Sequence, residues 1–390
     1  MPAKIRVLIA EDSAFMRRVL RLLLSSDPQI EVVGEARDGV EAVLQSGALH
    51  PDVITMDINM PKRSGVEATE EIMSSQPRPI VIVSSSSGEA VPTLRALELG
   101  AIDFVAKPVS GIDLDMESVR DELLRKVKMA AKVRVVRNVA PPRYAAPGIS
   151  ANAGVMSAAQ VQPRSSPAAV AVKPVLAFAE PVAANRDIAS AAAERFPIVA
   201  LAGSTGGPAA LMRLLPRLPA AFPGALLLIQ HMPANFTGQF GEQLATSSTI
   251  RVKQAEHGEL MRPGVAYLCP GANHLRVSPS GRLLLDAGPP LNGYRPSIDL
   301  ALDSMADYAG VMAIAVILSG MGNDGAQGVQ AVRTTGGYVL AQDEATSMIF
   351  GMPSEAIKTG AVDQVLPLDA ICAAIEQRAS RFVAAHTGTV

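Results

Sequence analysis

The chain has 390 residues, 48% of them hydrophobic, with a formal charge of −2 and two cysteines. That length accommodates two or three domains, each with its own core, and near-neutrality excludes bulk attraction to nucleic acid or anionic membrane. No apolar run approaches the roughly 20 residues that span a bilayer, and Cys269 and Cys372 make neither a disulfide framework nor a zinc cluster, so a cytoplasmic protein is expected.

The opening stretch MPAKIRVLIA sets a basic residue before an apolar run. Glu11-Asp12 follow at once, with no small-residue cleavage site, so it reads as a first strand (4–10) and not as a signal peptide. Further short β-type runs follow at 31–36 (EVVGEA), 53–57 (VITMD), 80–84 (IVIVS) and 102–105 (IDFV). Helical patterns such as FMRRVLRLLLSS and GVEATEEIMSS separate them, and a basic helical stretch near 113–132 completes the unit. Strands alternating with helices predict a parallel sheet covered on both faces.

The composition then changes. Residues 141–194 hold 17 Ala and 7 Pro, with Tyr144 and Phe178 as the two aromatics. Spaced prolines prevent long helices and few bulky side chains remain to build a core. The stretch reads as a flexible linker, with a transient helix near 187–195. From 197 the alternation resumes, with strands at 197–202, 225–230, 265–268, 313–318 and 338–341 and helices after 207, 235, 297, 324 and 368. HLRVS and RLLLD, around Pro279-Ser280-Gly281, look like an inserted β-hairpin. The fold class is therefore α/β, with two doubly wound parallel-sheet domains. Their expected limits are 1–125 and 196–385, with 126–195 joining them.

Glu11-Asp12 end the first strand, Asp57 ends the third, and Lys107 follows the fifth. Ligands of doubly wound sheets bind outside the carboxyl ends of the strands. Three carboxylates converging there repel unless a hard cation lies between them, and Mg²⁺ suits carboxylate and carbonyl ligands. Lys107 can neutralise an incoming anion, Ser84 can hydrogen-bond it, and Asp57 becomes a candidate nucleophile toward a phosphoryl donor. Singly, each acid is better explained as a solvated loop residue. The joint pattern EDS, MDINMP and AKP after strands one, three and five is more specific, and with it residues 1–125 resemble a response-regulator receiver domain, which has a flavodoxin-like fold. The resemblance implies phosphorylation of Asp57 by a histidine kinase. It also implies Mg²⁺ held by Asp12, Asp57 and the Asn59 carbonyl, with Glu11 reaching it through water. Phe104 falls at the family's switch aromatic and Ser84, with Ser85 the neighbouring candidate, at its switch hydroxyl.

The stretch VALAGSTGGPAALMRLL (199–215) raises a second question. A glycine-rich turn between a strand and a helix suits either a phosphate or an exposed nucleophile, because both need stabilised negative charge. No lysine stands where a P-loop needs one, and Gly203, Gly206 and Gly207 do not have dinucleotide-fingerprint spacing. Ala202 departs from the usual nucleophile elbow. A serine at neutral pH needs a base. His231 ends the strand ALLLIQ, and Asp324 follows AVILSGMGN before another helix, so Ser204, His231 and Asp324 share one sheet edge. Ser204 then attacks, His231 takes its proton, and Asp324 fixes the imidazole tautomer. Taken singly, the turn is more often a capped helix start, His231 a helix cap or a satisfied core histidine, and Asp324 an N-cap; the conjunction favours catalysis.

AGSTGGP, QHMPANFT, PGVAYLCPGANH, RPSIDLALDSMA, ILSGMGNDGAQG and FGMPSEAI, in that order through 197–365, resemble the chemotaxis protein-glutamate methylesterase family, whose catalytic domain is Rossmann-like. The resemblance implies Ser204, His231 and Asp324 as a triad that hydrolyses γ-glutamyl methyl esters on chemoreceptors and deamidates certain glutamines. It places Thr205 and Met321 beside the oxyanion site. It implies a chemotaxis histidine kinase as phosphodonor, no cofactor for the ester reaction and a monomer without nucleic-acid partner or membrane insertion. Tyr294-Arg295-Pro296, in the loop before the helix at 297, is a candidate for binding receptor carboxylates, and Cys269 is expected to be buried and inert. The competing readings are a signalling adaptor and a DNA-binding regulator; the latter fits poorly, because the second domain lacks a basic cluster or recognition-helix motif.

Overall fold

The structure, a computed structural model, describes residues 3–85, 89–107, 113–133 and 196–387. The Ala/Pro-rich stretch read as a linker, with the helix expected near 187–195, lies outside the described residues from 134 to 195.

The first domain runs β1 (Ile5–Ala10), α1 (Ala14–Ser25), β2 (Ile30–Ala36), α2 (Gly39–Leu49), β3 (Val53–Asp57), α3 (Gly65–Ser75), β4 (Ile80–Ser84), α4 (Ala90–Glu98), β5 (Asp103–Ala106) and α5 (Asp113–Ala130). Its sheet has the order β2-β1-β3-β4-β5, all parallel. β3 and β4 are buried along their whole length, which is why they read as unbroken apolar runs. Helix starts are written locally: Ser13 accepts the Met16 N–H to begin α1, and Ser64 with Glu67 forms a capping box on α3. α5 continues to Ala130, in keeping with the helical stretch read near 113–132, so the helix runs past the limit of 125 expected for the first domain. Leu123, Val127 and Ala130 are the buried stripe that extends it.

The second domain runs β6 (Ile198–Gly203), α6 (Gly207–Leu214), β7 (Ala225–Gln230), α7 (Ala234–Ser247), β8 (Arg251–Gln254), β9 (Val265–Leu268), β10 (His274–Val277), β11 (Leu283–Asp286), α8 (Ile298–Ala309), β12 (Ala313–Ile317), α9 (Ala326–Thr334), β13 (Tyr338–Gln342), α10 (Gly351–Lys358), β14 (Gln364–Leu366) and α11 (Leu368–Thr387). Its parallel sheet has the order β14-β13-β12-β6-β7-β9-β8, and β10 and β11 pair antiparallel as the separate hairpin expected from the sequence. β8, α10 and β14 are additional to the elements read from the sequence. β6 lies between β7 and β12, so the chain reverses its direction of travel across the sheet at the carboxyl end of β6, where such folds build their sites. No helix among the described residues is long and apolar enough to cross a membrane.

Candidate functional site

The acidic edge of the first sheet comes together as expected. Carboxylate oxygens of Glu11, Asp12 and Asp57 lie within 4.8 Å of one another. Lys107 Nζ sits 2.7 Å from Asp57 Oδ1 and 3.0 Å from Glu11 Oε2. Burial and the charge of Asp57 push the Glu11 carboxyl up to about 7 despite the lysine. Burial likewise holds Asp57 above the ordinary carboxylate value, outweighing Lys107. Three acids against one ammonium is a donor set that a divalent cation fits. Ser84 is fully buried, and its hydroxyl donates to Glu89 Oε2 at 2.7 Å. Glu89 also accepts the Ser85 N–H at 2.6 Å and the Asn59 side-chain amide at 2.6 Å. Glu89, which the motifs did not single out, therefore holds the candidate switch hydroxyl.

At the second edge, β6 ends in Gly203 and Ser204 follows, its N–H bonded to the Ser319 carbonyl at 3.1 Å beyond β12. Gly206 turns the chain into α6 with φ of 78°. A Cβ there would lie 2.6 Å from Ser319 Oγ, so the turn needs glycine on both counts. Gly203 is in register with Gln230, which places Ser204 and His231 side by side one residue further along. Gln230 ties the two ends together: its buried side-chain N–H₂ donates to the Ser204 carbonyl at 2.9 Å and to that of His231 at 3.0 Å.

His231 Nε2 lies 2.9 Å from Asp324 Oδ2. An ionised carboxylate only accepts, so Nε2 carries the proton and Nδ1 keeps the lone pair; Nδ1 is buried without a hydrogen-bond partner. The imidazole stacks on the Tyr294 ring, with centroids 4.5 Å apart and planes at 12°. Asp324 also accepts the N–H groups of Ile298 at 2.8 Å and Asp299 at 2.9 Å, at the N-terminus of α8, and Ser297 Oγ at 3.4 Å. Burial works against its charge. The His231 contact and those N–H groups outweigh it and leave the carboxyl below its ordinary value. Asp299 returns the contact, with one oxygen accepting from Gly325, Gln327 and Gly328 at 2.8–3.0 Å around the start of α9. Each aspartate thus holds the other's helix.

Other expected residues fall as follows. Arg295 donates to the carbonyls of Ala287 at 3.2 Å and Gly288 at 2.9 Å, so it braces its own loop. Cys269 is fully buried, and burial pushes its thiol up to about 12. Thr205 is buried, and its hydroxyl donates to Asp103 of β5 in the first domain. Asp103 is held in turn by Lys126 of α5 at 3.1 Å. Phe104, the next residue, packs on Phe236 of α7 with centroids 4.3 Å apart. Met321, Met348 and Ile349 pack against the first-domain cluster that contains Val105, Val119 and Leu123. α4 lies against α6 and α7. The first domain therefore touches the turn that carries Ser204.

A sheet edge bearing three acids and a lysine, joined in one chain to a second sheet edge bearing serine, histidine and aspartate, defines a response regulator with a hydrolase-type output domain. Comparison with known families agrees: residues 7–117 match the response regulator receiver domain and residues 199–375 match the CheB methylesterase family. The chain belongs to the protein-glutamate methylesterase/protein-glutamine glutaminase family. It is 40% identical over 94% of its length to the Pyrococcus abyssi member, 92% of which is covered. It is 41% identical over 95% of its length to the Symbiobacterium thermophilum member, 96% of which is covered. The solved catalytic domain of the Thermotoga maritima CheB methylesterase is 39% identical, with a TM-score of 0.46, over 47% of this chain and 98% of that one.

Proposed function

We propose that this protein removes methyl groups from γ-glutamyl methyl esters of chemoreceptors, and deamidates certain receptor glutamines, under control of phosphorylation at Asp57. In this reading residues 1–125 are the receiver and residues 196–385 the catalytic domain. The observation that carries it is the Asp324–His231 pair beside Ser204, with the Asp324 charge secured at the N-terminus of α8.

Ser204 Oγ attacks the ester carbonyl while its proton passes to His231 Nδ1, the ring nitrogen that Asp324 leaves open. The imidazolium then has its new charge balanced at Nε2 by Asp324. The tetrahedral oxyanion lies at the Thr205 turn, at the N-terminus of α6 and beside Met321, where each well-placed donor contributes on the order of 3 kcal/mol. His231 returns the proton to the methoxy oxygen and methanol leaves. Water, deprotonated by His231, then cleaves the acyl-serine to give glutamate. For a glutamine side chain the leaving group is ammonia.

In the receiver, Asp12, Asp57 and the Asn59 carbonyl, with Glu11 through water, would hold Mg²⁺, which supplies charge neutralisation for phosphoryl transfer from a histidine kinase. Phosphorylation adds about two negative charges beside Lys107 and competes with Glu89 for the Ser84 hydroxyl. We assign the unphosphorylated receiver the role of an inhibitor, supported by its contacts through Asp103, Phe104 and the Met321 segment. Methanol release from methylated receptors, with and without a small phosphodonor, tests the whole reading. Wild type should release methanol faster with the phosphodonor, and Ser204→Ala should release none. A fully active Ser204→Ala would remove the nucleophile, and a wild type that binds methylated receptors but never releases methanol would make the protein an adaptor.

A further inference from the structure

We infer that Tyr294 is a positioning residue for the base: its ring, stacked on the His231 imidazole, sets the plane of that imidazole. The inference rests on Ser204 and His231 acting as nucleophile and base. Asp324 holds the imidazole at one atom, Nε2, close to the axis of the bond that joins the ring to the chain, so that one hydrogen bond limits the ring's turn without fixing its plane. Nδ1, the atom that must receive the Ser204 proton, has no hydrogen bond to orient it. Its direction must come from packing, and the aromatic face at 4.5 Å and 12° supplies that.

Tyr294 is itself rigidly presented. Leu291 and Tyr294 exchange backbone hydrogen bonds of 3.0 and 2.9 Å across Asn292 and Gly293, with φ of 50° and 83°. Two consecutive positive φ values in an Asn-Gly pair make the tight turn that closes hairpins. Arg295 then pins the loop to the Ala287 and Gly288 carbonyls. On the far side, a Cβ on Gly322 would lie 2.3 Å from the Tyr294 hydroxyl oxygen. Gly322 thus leaves room for the end of the ring against the loop that delivers Asp324. Tyr294 therefore spans the base and the segment carrying its carboxylate.

The test uses the full chain with Mg²⁺ and a small phosphodonor, and two readouts: methanol release from methylated receptors, and the rate of covalent labelling by a fluorophosphonate too small to need receptor contacts. Tyr294→Leu and Tyr294→Met remove the aromatic face; Tyr294→Phe keeps it. Both non-aromatic variants should lower kcat and the labelling rate together by about tenfold with KM unchanged, and Tyr294→Phe should restore both. A raised KM with normal labelling would overturn the inference and make Tyr294 a receptor contact. Unchanged labelling and kcat in both non-aromatic variants would also overturn it. Unfolding midpoints identify a variant that simply fails to fold, and the other non-aromatic variant then carries the test. A wild type that the fluorophosphonate does not label would instead refute the hydrolase reading beneath it.

Discussion

Asp324→Asn separates the two tasks a triad carboxylate performs, fixing the tautomer and balancing the charge, because the donors around Asp324 are unequally distributed. Oδ2 receives His231 Nε2 and the Ile298 N–H, whereas Oδ1 receives the Asp299 N–H and, more weakly, Ser297 Oγ at 3.4 Å. An asparagine must put its own N–H₂ on one side. Facing His231, it would orphan the Ile298 N–H and force the imidazole to give up the Nε2 proton. Facing Asp299, it orphans a single N–H, while the Ser297 hydroxyl can turn to accept. A buried unsatisfied donor costs about 1–3 kcal/mol, so the second orientation wins and the Nε2–H tautomer survives. What is lost is the ionic partner of the imidazolium, worth ~4 kcal/mol at 4 Å for an effective dielectric of about 20. Catalysis should therefore fall by roughly 10³-fold, since each 1.36 kcal/mol is tenfold, and not to nothing. The assay is kcat for methanol release with phosphodonor, together with the downfield proton resonance of His231 Nε2–H, which should persist. Loss of that resonance with activity as low as in Ser204→Ala would show that the tautomer had switched and the donor count had been misjudged. A loss below tenfold would show that the Asp324 charge does little.

Removing the Asp103 carboxylate should loosen the hold of the unphosphorylated receiver on Thr205. A hydrogen bond to a charged group is worth about 1.5–3 kcal/mol, so Asp103→Ala should raise methanol release without phosphodonor roughly tenfold, whereas unchanged or lower basal release would contradict inhibition through this contact. Glu89→Ala frees the Ser84 hydroxyl from its 2.7 Å partner, and half-maximal activation should then need about tenfold less phosphodonor; an unaltered requirement would mean that Glu89 does not compete for the switch. Burial pushes the Cys269 thiol up to about 12 and that of Cys372 to about 11, so neither should be alkylated by iodoacetamide at pH 8 in the folded chain, as read by mass spectrometry with a denatured control.

The legible part of the fold was the part buried on both faces. β6 and β7 are fully buried along their length, so their sequences carry no polar interruption and their ends mark the site edge to within a residue. β8 and β14 are the outermost strands of the second sheet and keep exposed positions. RVKQ and QVL consequently lack the apolar run that announces a strand. In the candidate site, strand ends placed Ser204, His231 and Asp324 correctly on one edge, because the carboxyl end of a parallel strand is a position the pattern reveals. The groups that orient them were not legible. Gln230 reads as an ordinary polar residue closing an apolar run, Asp299 comes from a helix away from the strand ends, and Tyr294 reads only as part of a loop for receptor carboxylates, with nothing in the sequence to bring it against His231. Arg295, read as a candidate for receptor carboxylates, also donates to the Ala287 and Gly288 carbonyls of its own loop, a contact the sequence does not announce.

The contact between the domains also has a local logic. Asp103 and Phe104 are adjacent on β5, so their side chains leave opposite faces of the strand: one reaches Thr205 and the other packs on Phe236. Ser84 is in register with Ala106 on the neighbouring strand, and Lys107 follows directly, its N–H bonded to the Ser84 carbonyl at 2.7 Å. In the proposed reading a phosphoryl group on Asp57 acts on Ser84 and Lys107, and any adjustment there is transmitted along a single four-residue strand to both contacts. A hydrogen bond and a ring contact are both short-ranged, so a displacement of under an ångström is enough to change their strength, and the packed core behind β5 makes that displacement a switch between two arrangements and not a gradual drift. The receiver would then withhold the Thr205 turn itself from the reaction as well as shielding it from a receptor helix. A small ester, which slips past a merely steric cover, should be hydrolysed more slowly by the unphosphorylated chain for the same reason that a receptor is.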